Sequence, residues 1–436
     1  MDKQRHFFWQ CCCILFLMTA ILIQGLTDIV KMKPLKGFVK TTQTDTLSFK
    51  TYYDGTYQAS LTEWAKQHTG FREFFIRNYN QLMYSCFRKI TNENIVEGED
   101  RELFLTMYLN EITGKKLQNF YGSEEVAKST AERNVQRTID LIQTLRDHGK
   151  DFLFVFAPTK TSVYPEKMPR SYQENIAGFC LEQYYIDLFK QYDIPHIDLY
   201  NYFKSISDTV AYPLYTRLAS HWAESTIPWV ADTILRKLES ITEYHFPSIQ
   251  VTDDNITTDY SDYDHELELS MNLLFPWPKP ALPRPRFTLA DTVGMDRPNL
   301  VVVGDSYFDQ LMFSCFKEAF RKWDFWQYMM NVYSSRGYWN VPFENIMDTP
   351  KTLQEADVVL AVFTAPMLYN YMNNFTERAY GMLETSDVEI LQMMESIRNN
   401  PDWYQAVIDQ AKERGLEVED NLRINAIYVI EYRKNH

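Results

Sequence analysis

The sequence predicts an α/β domain with a mainly parallel sheet, set behind one membrane-spanning helix. Three observations carry this. Phe152 to Ala157 and Leu300 to Val303 are continuously apolar, as strands buried on both faces are. Apolar-periodic helical stretches alternate with such runs, which is the pattern of β-α-β units and a parallel sheet. Phe7 to Ile23 is apolar except for Gln10 and Thr19. Extended to Leu26, it supplies some 20 residues at about 1.5 Å each, enough for a hydrocarbon core of about 30 Å.

In chain order, residues 1–6 form a short amino terminus with Lys3 and Arg5. Residues 7–26 are expected as an uncleaved signal anchor, because no small-x-small cleavage site or lipobox follows; a cleavable signal peptide is the competing reading. A short amino terminus before a large polar body places the amino end in the cytoplasm and the body outside it. Residues 27–122 are a stalk or lead-in, with one helical stretch from Trp64 to Cys86. The main domain is expected over 123–380. Ser123 is an N-cap, Glu124 and Glu125 suit the positive end of a helix dipole, and Gly149 is a stop. After the strand at Phe152, a loop runs from Pro158 to Pro169, then a helix to Tyr192 and a strand at His196 to Leu199. His221-Trp222 precedes a helix from about Glu224 to Leu238.

Residues 252–268 are rich in Asp, Glu and Tyr but lack the glycine and terminal glutamate of a calcium loop, so a solvated acidic loop is expected. Pro276 to Arg286 is a stiff connector. The strand at Leu300 follows, then a helix to about Tyr328, and a further strand from Ala356 to Phe363. Residues 381–436 form an appendage of two helices separated by Pro401, with a strand-like end from Ile424 to Ile430.

With 436 residues, 15% aromatics and a formal charge of −14, the chain is globular and acidic. No basic patch suits nucleic acid or an anionic lipid surface as the main partner. Of six cysteines, Cys11, Cys12 and Cys13 lie in the apolar run. Cys86, Cys180 and Cys315 are scattered without metal-ligand spacing and are expected as free thiols.

The candidate site is Gly304-Asp305-Ser306-Tyr307, a tight turn between a buried strand and a helix. Open α/β sheets place ligands at such carboxyl ends. The Ser306 hydroxyl would face a substrate, with amides at the helix start able to bind an oxyanion. His221, at a loop-to-helix junction, is the candidate base.

From about Trp64 to Phe363 the sequence resembles the SGNH hydrolase-like family of alginate O-acetyltransferases (the AlgX/AlgJ type). The resemblance lies in Gly304-Asp305-Ser306-Tyr307 and Ser220-His221-Trp222, with histidine before serine, and in Phe71-Arg72, Phe156 to Pro165 and Ala356 to Val362. It implies a three-layer SGNH-like α/β/α fold, with Ser306 as nucleophile and His221 as general base. Gly304, Asp305, Tyr307 and Trp222 would shape the turn and the pocket. The family pattern before the tryptophan is Asp-x-His-Trp, and its aspartate falls on Ala219, which cannot orient or stabilise an imidazolium.

Two functions follow. The first is a bacterial, single-pass membrane-anchored O-acyl (acetyl) transferase or esterase acting outside the cytoplasm on a cell-surface or exported polysaccharide. It needs no metal or diffusible cofactor. The resemblance implies a multi-spanning membrane O-acyltransferase partner that hands over the acyl group. The alternative, favoured by Ala219, is a catalytically degenerate relative that binds glycan or scaffolds a polysaccharide-modification complex.

Overall fold

The computed structural model describes residues 2–37 and 44–435. Met1, residues 38–43 and His436, which fall in the expected amino terminus, lead-in and appendage, lie outside the described residues. The chain divides into two compact units, Met1–Glu97 with His265–Lys279, and Gly98–Asp264 with Pro280–His436.

The first unit opens with the helix Asp2–Thr27. Its Arg5–Thr27 segment is long and apolar enough to cross a membrane, a property that signal sequences share. The helical stretch expected from Trp64 to Cys86 is two helices, Thr56–Gln67 and Arg72–Phe87. They part where Gly70 meets the first helix: a Cβ on Gly70 would lie 2.1 Å from the Ile21 carbonyl oxygen. Only glycine permits that approach.

The second unit holds nine strands that position the site. They are β1 (Asp151–Ala157), β2 (His196–Asp198), β3 (Ser248–Thr257), β4 (Leu282–Ala290), β5 (Leu300–Gly304), β6 (Trp323–Gln327), β7 (Asn331–Ser334), β8 (Trp339–Pro342) and β9 (Val358–Thr364). Seven form one sheet in the order β8-β7-β6-β5-β9-β1-β2. Pairings from β6 through to β2 are parallel, whereas β7 and β8 add on antiparallel. The sheet is therefore mixed, not mainly parallel as the sequence predicts. The cause lies after Ser306. The expected helix to Tyr328 is only a 3₁₀ turn Ser306–Phe308, a short helix Asp309–Phe313 and a second 3₁₀ turn Cys315–Ala319. Ser314 ends the helix by accepting from Phe316 N at 3.1 Å. The chain then enters β6, and the short β6–β7 and β7–β8 connections allow only antiparallel return.

Three layers follow from the two-residue period of the central strands. Phe152, Phe154, Phe156, Val301, Val303, Val359, Ala361 and Phe363 pack on one side, against helices Glu124–Asp147, Leu181–Gln191 and Phe375–Glu384. Leu153, Val155, Leu300, Val302, Leu360 and Val362 pack on the other, against helix Ile227–Ile241 and the segment after Ser306. Pro228 lies in the first turn of its helix, where its missing N–H costs nothing.

Two further expectations are corrected. The start of the acidic stretch, to Thr257, and the end of the proline-rich connector, from Leu282, form strands that pair antiparallel, β3 against β4, from Ser248–Ala290 to Thr257–Leu282. Pro283 and Pro285 are tolerated because β4 pairs on one side only. The strand-like end at Ile424 to Ile430 lies inside a helix, Val418–Asn435, that buries Leu422, Ala426, Ile427 and Ile430. That spacing is helical, and the tail is three helices with Pro401 opening the second.

At the end of β5, a Cβ on Gly304 would sit 2.7 Å from the Val362 carbonyl oxygen of β9. Gly304→Ala is expected to destabilise the second unit by about 1–3 kcal/mol through overpacking at this strand pair. Urea unfolding measures it, and an unchanged midpoint would contradict the close approach.

Candidate active site

Ser306 is aimed by the residue before it. Asp305 is 2% exposed, and its carboxylate accepts from Thr364 N at 2.8 Å, Thr364 Oγ1 at 2.7 Å and Tyr307 N at 3.0 Å. These bonds tie the turn after β5 to the end of β9 and start the 3₁₀ helix at Ser306. Burial pushes the Asp305 carboxyl up, and the Thr364 and Tyr307 donors hold it back. Asp305 thus fixes the turn.

His221 reaches the same point from a different loop. Tyr215 and Trp222 form an isolated antiparallel bridge, and Ala223 N donates to Leu214 O at 2.8 Å. Trp222 is fully buried and meets the Tyr307 ring edge-on at 4.9 Å. The Tyr307 hydroxyl donates to Ser220 O at 2.7 Å. The residue after the serine therefore holds the residue before the histidine. Between these two fixed points, His221 Nε2 lies 2.9 Å from Ser306 Oγ. Tyr307 and Tyr263 flank the imidazole, at ring distances of 5.1 and 5.9 Å.

Ala219 is fully buried. Its carbonyl accepts from Lys160 Nζ at 3.2 Å, and Lys160 also donates to Thr216 O at 2.7 Å and Leu103 O at 3.1 Å. Glu102 pairs with the same ammonium at 2.7 Å. A buried cation thus pins the backbone of the loop that presents His221. Lys160→Met strands Glu102 and three carbonyls, so a loss of about 3–5 kcal/mol is expected. Thermal unfolding checks this, and wild-type stability would count against the pinning.

Three residues near the serine carry no signal in the sequence. Ser306 N donates to the Tyr328 hydroxyl at 3.2 Å, so the amide expected to bind an oxyanion is turned toward a phenol. Tyr328 is pushed up to about 12, first by burial and then by the Asp305 charge, and it keeps its proton at neutral pH. It sits at the β6–β7 turn with φ 54°, a left-handed backbone that the expected helix would not supply. Asp309, one turn after Ser306, accepts from Gln327 Nε2 at 2.8 Å. Its carboxyl is raised to about 7 by burial, against the pull of His221. Gln310 follows, 5% exposed.

No curated protein matches. Among solved structures, the O-acetyltransferase domain of Pseudomonas putida AlgJ is similar at 15% identity and a TM-score of 0.40, over 65% of this chain and 98% of that one. Pseudomonas aeruginosa AlgX is similar at 16% identity and 0.41, over 65% of this chain and 67% of that one. Bacillus cereus PatB1, with a sulfonyl adduct, gives 14% and 0.37, over 57% and 93%. A family model matches residues 95–273, a segment that includes Ala219 and His221 and ends before Ser306. Over that segment the chain is similar to the family described as SGNH hydrolase-like domain, acetyltransferase AlgX.

Proposed function

We propose that this protein is an O-acyl (acetyl) transferase or esterase acting on a cell-surface or exported polysaccharide, with Ser306 as nucleophile and His221 as general base. The observation that carries it is the 2.9 Å approach of His221 Nε2 to Ser306 Oγ at the carboxyl end of the sheet. Ser306 Oγ attacks the acyl carbonyl and passes its proton to His221. The bond from the acyl carbon to its donor oxygen breaks, and His221 returns the proton to that oxygen. A sugar hydroxyl or water then attacks the acyl-serine, gives its proton to His221, and Ser306 Oγ recovers it. The Tyr328 hydroxyl accepts from the Ser306 amide and keeps its own proton, which it could turn toward a developing oxyanion.

In this reading residues 7–26 anchor the protein, with residues 1–6 cytoplasmic and the catalytic body outside. A multi-spanning membrane acyltransferase hands over the acyl group. The family match over residues 95–273 supports acetyl transfer as the chemistry.

A second reading has one observation in its favour. Ala219 presents a buried methyl group where the family resemblance puts the orienting acid, which suits a glycan-binding relative without turnover. Hydrolysis of a chromogenic acetyl ester, wild type against Ser306→Ala, separates the two. Equal rates remove the enzyme.

A further inference from the structure

Beside the serine helix lies a cleft of about 520 Å³, the size of a small-molecule subsite. It opens between the β3–β4 hairpin and the helix Asp309–Phe313, and Gln310, Phe313, Tyr263, Asn255 and Arg284 are among its walls. Tyr263 joins the cleft to the site: its ring is 6.3 Å from Phe313 on one side and 5.9 Å from His221 on the other.

Gln310 is the informative wall. It lies four residues after Ser306 and is 5% exposed. Among the described residues, neither its Oε1 nor its Nε2 has a hydrogen-bond partner. A buried amide with both ends open bears the full desolvation penalty, and native proteins rarely leave one so without a use. An open acceptor beside an open donor is matched by a group that both donates and accepts, as a sugar hydroxyl does.

The charges in the cleft balance. Arg284 pairs with Glu224 at 3.0 Å and with Asp259 at 3.6 Å. Arg286 is the other lining base, so the lining carries two cations and two carboxylates and no net charge. No surplus charge remains to select a carboxylated sugar. Phe313, 52% exposed, offers an aromatic surface, and aromatic walls with a few placed polar groups are usual in ligand sites.

We propose that this cleft is the acceptor subsite for an uncharged, hydroxyl-rich glycan, with the Gln310 amide gripping a sugar hydroxyl one helical turn from Ser306. The assignment rests on the transferase reading above, because it names the acceptor of that site.

The test is calorimetric binding by the full chain in detergent. The probes are neutral hexasaccharides of gluco, manno and galacto configuration, with hexagalacturonate as the charged counterpart. At least one neutral probe should bind and hexagalacturonate should bind more weakly. Gln310→Leu, which fills the same space without the amide, should weaken neutral binding about tenfold or more. Tighter hexagalacturonate binding, no neutral binding, or an unchanged constant in Gln310→Leu overturns the proposal. If Gln310→Leu does not fold, Asn255→Ala on the hairpin carries the test: several-fold weaker binding supports the subsite, and an unchanged constant overturns it. Wild-type ester turnover without glycan binding sinks the subsite alone, whereas glycan binding without turnover sinks the transferase reading and leaves a binding cleft.

Discussion

Replacing Ser306 by alanine should lower turnover of a chromogenic acetyl ester by about 10³-fold or more, His221→Ala should do the same, and the double variant should fall little further. The reasoning is geometric. The serine hydroxyl is a weak nucleophile unless a base within hydrogen-bond reach takes its proton, and His221 Nε2 is at 2.9 Å. Groups that act as one unit lose their shared contribution once, so their effects do not add. Both variants should fold, since each side chain is only partly buried and neither carries the turn. Asp305 and Tyr307 carry it, through Thr364 and Ser220. Steady-state kinetics on purified variants with matched unfolding curves decides the point. Single variants at the wild-type rate would remove Ser306 and His221 from the chemistry, and a double variant far below either single would show that they act independently.

What the sequence made legible is the part governed by short-range rules. The apolar run Leu300 to Val303 and the Gly304-Asp305-Ser306 stop announce strand and turn, because few other conformations suit those residues in that order. The N-cap at Ser123 and the stop at Gly149 were equally local: Ser123 Oγ accepts from Val126 N at 3.3 Å, and Gly149 takes φ 69°. The hairpin was hidden because its residues look wrong for a strand. Acidic residues in β3 and prolines in β4 mimic a loop and a linker, and only pairing between segments that begin 34 residues apart (248 to 282) makes them a sheet. Tyr328 was hidden for a related reason. Its phenol caps the Ser306 amide across 22 residues, and nothing local marks it. Gln310 falls in the helix the sequence predicts after Ser306, and nothing local marks it. It is buried, and it lines a cleft with residues of the hairpin that the sequence conceals. The Ser220-His221-Trp222 loop is legible as a motif, while nothing in the Pro158 to Pro169 segment marks the Lys160 ammonium that pins it.

Asp309→Asn should remove a loss of stability that the wild type suffers as pH rises from about 4 to about 7. In the fold this carboxyl is raised from its ordinary 3.8 to about 7, chiefly by burial, with His221 and Gln327 opposing and the Asp305 charge adding. Between those two values the unfolded chain has released the proton and the folded chain still holds it. The folded state binds more protons there, so stability falls as pH rises and the full penalty stands above about 7. At roughly 1.4 kcal/mol per pH unit the loss approaches about 4 kcal/mol. Asparagine keeps an oxygen to accept from Gln327 Nε2 but cannot ionise. Urea unfolding across pH 4–8 should show the two proteins converging at the acid end and Asp309→Asn pulling ahead toward neutrality. Parallel curves would rule out the buried titration. The interaction with His221 is mutual: an ionised Asp309, three residues after Ser306, favours a charged imidazole. In the transferase reading, a carboxyl that costs the fold stability at neutral pH would give the site back some of the negative charge that Ala219 does not supply. If so, Asp309→Asn should gain stability and lose ester turnover together, a pairing that a purely structural aspartate would not produce.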